Sequence, residues 1–513
     1  MLKNHPKGLL AASLANMGER FGFYVMIAIL LLFLNTKFGF EGTQGMIIYS
    51  TFYALIYGLS LVGGKIADKT KKYKPTITIG LVLMSVGYLL LAIPTKTPVQ
   101  NMPLVLTITC LGLFAIAFGN GLFKGNLQAV VGQLYDNPKY ADKRDSGFQL
   151  FYMFINVGAM FSPIIAVMVR NLWVQANGFS FSNDLPALCN KWLKGTLEVG
   201  SEAFARFENL SSAQLGVTSV DPETLTAFAN NYLNIFTTGY HYAFGIAIFA
   251  MIISLTIFLA NKKRLPDPAK KAAVKEGDAK ISEMDIREVK QRLYALFAVF
   301  GVVLFFWFSF QQSGVILTLF ANEYTQMISL NLGFTTLEGA EVFQTFNPLF
   351  VVFLTPIVIG LFGWLKARGK EPSTPKKIAI GMGVAAAAFG IMALGSIGLP
   401  DAAERAAMGG LDHALRVTPF LLIGTYFTLT IAELFISPLG ISFVSKVSPP
   451  QYQGLMQGCW LTAAGLGNFF LFFGGMLYMN LPLWAAWLVF VGALTFSMTI
   501  MLSMVRWLER IAK

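Results

Sequence analysis

Charge is scarce in this chain of 513 residues: Asp, Glu, Lys and Arg together make up 13% of it, about half the share usual in soluble domains. With 55% hydrophobic residues and 46 Phe, there is too little polar surface for a soluble globule, and the chain reads as a membrane protein. Cysteine is scarce too. Cys110, Cys189 and Cys459 lie far apart, which excludes a disulfide framework and a spaced thiolate site, so neither metal nor cofactor is expected. A cleavable leader is not expected, because the first apolar stretch, Leu9 to Leu34, is too long for a signal core and carries charges. No basic folded domain accounts for the formal net charge of +12, which excludes a nucleic-acid footprint.

What is present is a series of apolar runs of membrane-spanning length. They fall near 9–34, 45–67, 75–95, 103–131, 148–170, 240–261, 294–320, 342–364, 376–398, 416–440, 453–478 and 482–505. With the N-terminus inside, 29 of the 39 Lys and Arg lie in inner segments, eight in outer ones and two, Arg20 and Lys124, within spans. This bias orients a multi-pass protein of the cell membrane with both termini in the cytoplasm. The fold class is therefore all-α integral membrane, with twelve helices in two six-helix halves, expected as a monomer in the lipid bilayer.

Residues 1–170 with 240–261 form the first half and 293–513 the second. The basic segment 262–292 is a cytoplasmic linker, and its part from Ile281 to Arg292 suits either an amphipathic surface helix or a solvated connection. Two halves joined in this way suggest the major facilitator architecture, with a solute bound at the midplane between them. Gly63-Gly64-Lys65-Ile66-Ala67-Asp68-Lys69-Thr70-Lys71-Lys72 resembles the facilitator motif after the second helix. The segment 171–239 is unusually long for an external connection. Its mild amphipathicity, with Cys189, Trp192, Phe204 and Phe207, suits a small helical cap; a lid and a passive insertion both stay open.

Four charges fall at depth: Glu19, Arg20, Lys124 and Glu433. Each costs about 2.5–3.5 kcal/mol at the centre of a membrane helix, so such residues line a cavity and have work to do. Lys124 lies in Gly119-Asn120-Gly121-Leu122-Phe123-Lys124, where no strand precedes the glycines, so a dinucleotide site is excluded. Gly58 to Lys65 lacks the Ser or Thr of a phosphate loop. No enzyme reading survives. One purely structural reading of the charges pairs Lys124 with Glu433 across the halves, stabilising one gate state.

The run Asn16-Met17-Gly18-Glu19-Arg20-Phe21-Gly22-Phe23-Tyr24 resembles the first-helix signature of the proton-dependent oligopeptide transporter family, Glu-x-x-Glu-Arg-Phe-x-Tyr-Tyr. Phe151-Tyr152-Met153-Phe154-Ile155-Asn156-Val157-Gly158 is similar to its fifth-helix signature. Lys124 sits in a variant of its Gly-x-Gly-x-x-Lys-Pro pattern, with Gly125 for the Pro. Phe346-Asn347-Pro348, the run around Glu433, and Gln453 to Trp460 look like further family segments. The resemblance covers nearly all helices and leaves 171–239 outside. It implies a secondary transporter of di- and tripeptides, with Arg20 and Lys124 at the peptide carboxylate and Glu433, Asn347 and Asn156 at its amino end. Tyr24, Tyr57 and Trp460 are candidates for lining side-chain pockets. The chemistry agrees, since a short zwitterion needs a cation and an anion in a low-dielectric cavity.

Several positions depart from the family pattern. Asn16 and Phe23 replace a Glu and a Tyr, Ile27 stands where the family often has a basic residue, and Gln311 where it has a Glu. Asn16, Arg20, Phe23 and Ile27 share one face of the helix. The loss of both Ile27's basic counterpart and Gln311's Glu reads as neutralisation of a whole bridge. Glu19, Arg20, Lys124 and Glu433 then sum to zero, and His5, His241 and His413 lie outside the cavity spans or at their edges. Proton coupling is therefore expected to be weakened or altered, with Glu19, Lys124 and Glu433 as coupling or gating residues. Facilitated exchange of another small amphoteric or anionic solute, and a non-transporting sensor on the same fold, are the alternatives.

Overall fold

A computed structural model describes residues 5–70, 72–135, 139–140, 144–266, 286–333, 335–448 and 453–511. Among these, twelve helices are long and apolar enough to cross a membrane. The first half is built from α1 (Lys7–Phe38), α2 (Gln44–Thr70), α3 (Tyr73–Ala92), α4 (Met102–Leu134) and α5 (Arg144–Ala176). Two shorter helices follow, α6 (Leu185–Leu193) and α7 (Glu202–Leu215), before the long α8 (Pro222–Ala260) closes that half.

The seventh span is broken. α9 (Ile286–Phe310) passes through a 3-10 turn, Gln311–Gly314, into α10 (Ile316–Tyr324). A two-residue ladder, β1 (Leu330–Asn331) against β2 (Thr336–Leu337), and a 3-10 turn, Ala340–Thr345, lead into α11 (Phe346–Ala367). Then come α12 (Thr374–Gly395), the short α13 (Ala402–Ala407) and α14 (Pro419–Val447). The eleventh span is α15 (Gln453–Phe469) continued by α16 (Leu471–Asn480), and α17 (Leu483–Ile511) is the last.

Packing within the first half depends on small residues at helix crossings, as expected where lipid removes the hydrophobic drive between helices. A Cβ on Gly80 would lie 2.6 Å from the Gly119 carbonyl, and one on Gly63 would lie 2.0 Å from that of Gly121. The Gly119-x-Gly121 pair thus lets α4 press on α3 with one face and on α2 with the other, a packing role. The side chain of Asp68 and residue Lys71, both in the facilitator-like motif, lie outside the described residues.

Two boundaries differ from the sequence reading. The segment 171–239 is largely helical: α5 runs on to Ala176, and α8 begins at Pro222, capped by Asp221, which accepts from the Glu223 and Thr224 amides at 3.0 Å. At 1.5 Å per residue the 39 residues of α8 reach about 58 Å, roughly twice the apolar thickness of a bilayer. Its first turns therefore project beyond the membrane and carry α6 and α7. In the linker, residues 267–285 lie outside the described residues, whereas 286–292 are the first turns of α9 and continue straight into a span.

The two ends of the bundle are distinct. Near the termini, the start of α1 meets the end of α4 and the turn after α8, with Gly8 against Leu134 and the Arg264 carbonyl. At the opposite end, called here the far end, Lys37 closes α1 by donating to the Thr95 carbonyl at 2.5 Å and to Thr97 Oγ1 at 2.7 Å.

Candidate binding site

The charges of α1 form a closed unit. Arg20 donates from Nε and Nη2 to both oxygens of Glu19 at 2.5 and 2.6 Å, and Asn120 of α4 donates to Glu19 Oε1 at 2.7 Å. Glu19 is fully buried and Arg20 is 4% exposed, so a bidentate pair with a third donor is what makes the burial tolerable. The Arg20 guanidinium also lies 4.7 Å from the Phe23 ring centre.

Lys124 and Glu433 are arranged differently. The Lys124 ammonium sits 4.6 Å above the ring of Tyr57 from α2, a cation–π contact. No carboxylate pairs with it among the described residues. Glu433 of α14 accepts from Asn347 Nδ2 of α11 at 2.8 Å, and Asn347 is itself 3.1 Å from Thr430 Oγ1. No cation pairs with Glu433 among the described residues. The inter-half bridge between Lys124 and Glu433 is therefore not made in this state: each charge has a partner from its own half only.

Three tyrosines lie near these charges. Tyr24 and Tyr57 are close enough to feel both Arg20 and Glu433, and Tyr152 feels Glu433, Tyr24 and Tyr57. Tyr152, on α5, is 44% exposed although its neighbours include Tyr24 of α1 and Glu433 of α14, which marks an open space at the seam between halves. Asn156 is one turn further on, and its amide donates to the Tyr152 carbonyl at 3.2 Å. Arg20, Lys124, Tyr24, Tyr57, Asn156, Asn347 and Glu433 are thus brought to one region. Trp460 is not: it is 2% exposed, packed against Phe300 at 6.2 Å and against Gly440 inside the second half.

The altered positions divide similarly. Asn16, Phe23 and Ile27 are buried at 3%, 3% and 4% exposure, and Phe23 packs edge-on against Tyr24 at 5.4 Å. Gln311 is half-buried at the start of the turn that breaks the seventh span, with no side-chain partner among the described residues. Among the described residues, no group of three His, Cys, Asp or Glu side chains is placed to hold a metal ion.

A family model described as the POT family, PTR2, matches residues 74–192 and 267–475. The chain belongs to the POT family. It is 29% identical over 470 residues to the uncharacterized transporter YclF of Bacillus subtilis strain 168, covering 89% of this chain and 85% of that one. It is 27% identical to a di-/tripeptide transporter of Lactococcus lactis subsp. cremoris, covering 89% and 86%. It is also 27% identical to dipeptide and tripeptide permease A of Escherichia coli K12, covering 90% and 82%. In fold it is similar to a crystal structure of the peptide transporter POT in complex with sulfate, at a TM-score of 0.70 and 22% identity over 100% and 96% of the two chains. A POT family transporter in complex with 5-aminolevulinic acid gives a TM-score of 0.70 at 21% identity over 100% and 98%.

This POT-family protein also holds buried charge that the sequence reading missed. Arg170 of α5 donates to Glu341, before α11, at 2.5 Å, and both side chains are 0% exposed. Arg170 Nη2 and Asn171 Nδ2 reach the Glu338 carbonyl at 3.1 and 2.9 Å, and Asn171 also reaches that of Thr336 at 2.9 Å. These contacts tie the two halves together beside β2 at the far end. The residues stood at the edges of their predicted spans, where a charge reads as reaching for water. Only the juxtaposition of α5 and the turn before α11 shows them paired.

Proposed function

We propose that this POT-family transporter carries di- and tripeptides by alternating access, holding the peptide between Lys124 with Arg20 on one side and Glu433 with Asn347 on the other. The observation that supports it is the pair of opposite charges left without counter-ions among the described residues. Lys124 and Glu433 come from opposite halves, lie at depth and have no counter-ion among the described residues. A charge held at depth without a counter-ion is expensive, and a zwitterion satisfies both at once. The names of the Lactococcus and Escherichia relatives point to the same substrate class. Tyr24, Tyr57 and Tyr152 would line the space between, offering faces and hydroxyls to varied side chains.

The same reading extends to energy coupling. Both oxygens of Glu19 are filled by three donors, whereas Glu433 accepts one amide. With Ile27 apolar and Gln311 uncharged, Glu433 is the carboxylate left to exchange a proton, so coupling is weakened relative to a site with more free carboxylates. We place the termini, and hence the end near Lys7, in the cytoplasm on the positive-inside bias, and take the protein as a monomer. Uptake of a labelled dipeptide by the purified protein in liposomes tests the function directly. Accumulation of label that unlabelled di- and tripeptides suppress is expected. No uptake, with folded protein, in either gradient or counterflow conditions would overturn it.

A further inference from the structure

The connection between α5 and α8 grips the opposite half. Its helices are bolted to the first half: Asn190 Nδ2 donates to the Thr36 carbonyl at 3.0 Å, Lys194 donates to the Gly39 carbonyl, and Cys189 and Phe207 are fully buried. From that base α7 reaches across to the segment between α12 and α14. Arg206 donates to Asp412 at 2.7 Å, to the Leu411 carbonyl at 3.0 Å and to Asp184, just before α6, at 2.9 Å.

Asp184 is the centre of this set. It accepts from Arg206 of its own half and, at 3.1 Å, from Arg416 of the other. The Asp184 and Arg416 side chains are 11% and 7% exposed. Arg416 is held in place by the carbonyls of Leu411 at 3.0 Å and Asn322 at 3.1 Å. The backbones fit as closely as the charges. Gly409 and Gly410 have φ of 73° and 131°. A Cβ on Gly409 would lie 2.7 Å from Ala203 Cα, and one on Gly410 would lie 2.7 Å from Asp184 Cγ. A passive insertion leaves its charges in water; here a carboxylate is shared by two guanidinium groups, one from each half.

We propose that the α6–α7 segment is a clamp that holds the far end closed and must release Arg416, Leu411 and Asp412 each time the far end opens. Asp184 and the start of α6 line one cavity with Arg170, so the clamp adds a second tier of closure to the Arg170–Glu341 pair at the same end. The clamp's place in a transport cycle rests on the transporter reading, whereas its test reads a distance and needs no substrate.

The test uses the full chain in lipid nanodiscs with Cys110, Cys189 and Cys459 replaced. Spin labels go on exposed far-end positions of the two halves, Gln100 and Ile397, and the inter-label distance distribution is measured. A single short distance is expected for the parent. A longer population should grow about tenfold in Arg206→Gln and Asp184→Asn, and remain unchanged in Glu202→Gln, an exposed charge of α7 outside the set. Asp412 is 79% exposed, so Asp412→Asn keeps the fold and should shift the distribution in the same direction by less. Distributions for Arg206→Gln and Asp412→Asn that superimpose on the parent's, or a parent already dominated by the long distance, would overturn the clamp. If Arg206→Gln fails to fold, Asp412→Asn alone decides.

Discussion

Replacing Glu433 by Gln keeps the shape of the side chain and removes its charge, and the consequence follows from what surrounds it. Asn347 is its partner at 2.8 Å, and an amide still accepts that bond, so Glu433→Gln should fold and purify like the parent. What is lost is the charge-assisted contact to a peptide's amino group. Hydrogen bonds to charged groups are worth about 1.5–3 kcal/mol net, which corresponds to a dipeptide affinity about 10- to 150-fold weaker. Binding is measured by the rise in melting temperature with peptide concentration, and uptake in liposomes should fall to background. Blocking the peptide's amino terminus by acetylation should cost the parent protein a similar factor. In Glu433→Gln the acetylated and free peptides should then bind nearly alike, because the contact is already gone and the two losses are coupled. The mirror cycle pairs Lys124→Ala with amidation of the peptide carboxylate. If protein and peptide changes lost affinity independently and additively at both ends, or if either variant kept parental uptake, the peptide would not sit between these charges.

Three further outcomes are expected. Glu341→Gln leaves Arg170 fully buried without its counter-charge, a loss of about 3–5 kcal/mol, and should melt well below the parent, with the double change Arg170→Met, Glu341→Leu recovering most of the difference; an unchanged melting temperature would show the pair to be idle. Uptake should depend weakly on an imposed proton gradient while counterflow proceeds, and the set Asn16→Glu, Ile27→Arg and Gln311→Glu should increase the pH dependence; strong gradient-driven accumulation by the parent would refute weakened coupling and point to Glu433 as the carrier. Single cysteines in the α6–α7 segment should react only with an outside reagent and those at the Lys262–Arg264 turn only with an inside one; the reverse pattern would overturn the orientation.

Much of the molecule was legible in the residues themselves. Twelve apolar runs located the spans to within a few residues at most ends, because hydrocarbon requires each crossing segment to satisfy its own backbone and to be long enough. The costly charges Glu19, Arg20, Lys124 and Glu433 stood out for the same reason: a solvent that penalises charge makes the exceptions conspicuous. The 3-10 break at Gln311–Gly314 falls on Gln311-Gln312-Ser313-Gly314, a polar interruption too short to divide a run of spanning length, so the span read as continuous.

The partners of those charges belonged to tertiary structure. Opposite charge at depth in the two halves could suggest that Lys124 meets Glu433; the packing instead gives Lys124 the face of Tyr57 and Glu433 the amide of Asn347, and turns Trp460 into core. Arg170 and Glu341 are 171 residues apart, and nothing in either neighbourhood predicts that α5 and the turn before α11 will exclude water between them. The segment between α5 and α8 shows the division most plainly. Its sequence gave mild amphipathicity and two possible roles, because helical propensity and polarity are local properties. Whether its charges end in water or on Arg416 and Asp412 depends on where the other half lies, and the relative placement of two halves is decided by their packing and not by any local pattern.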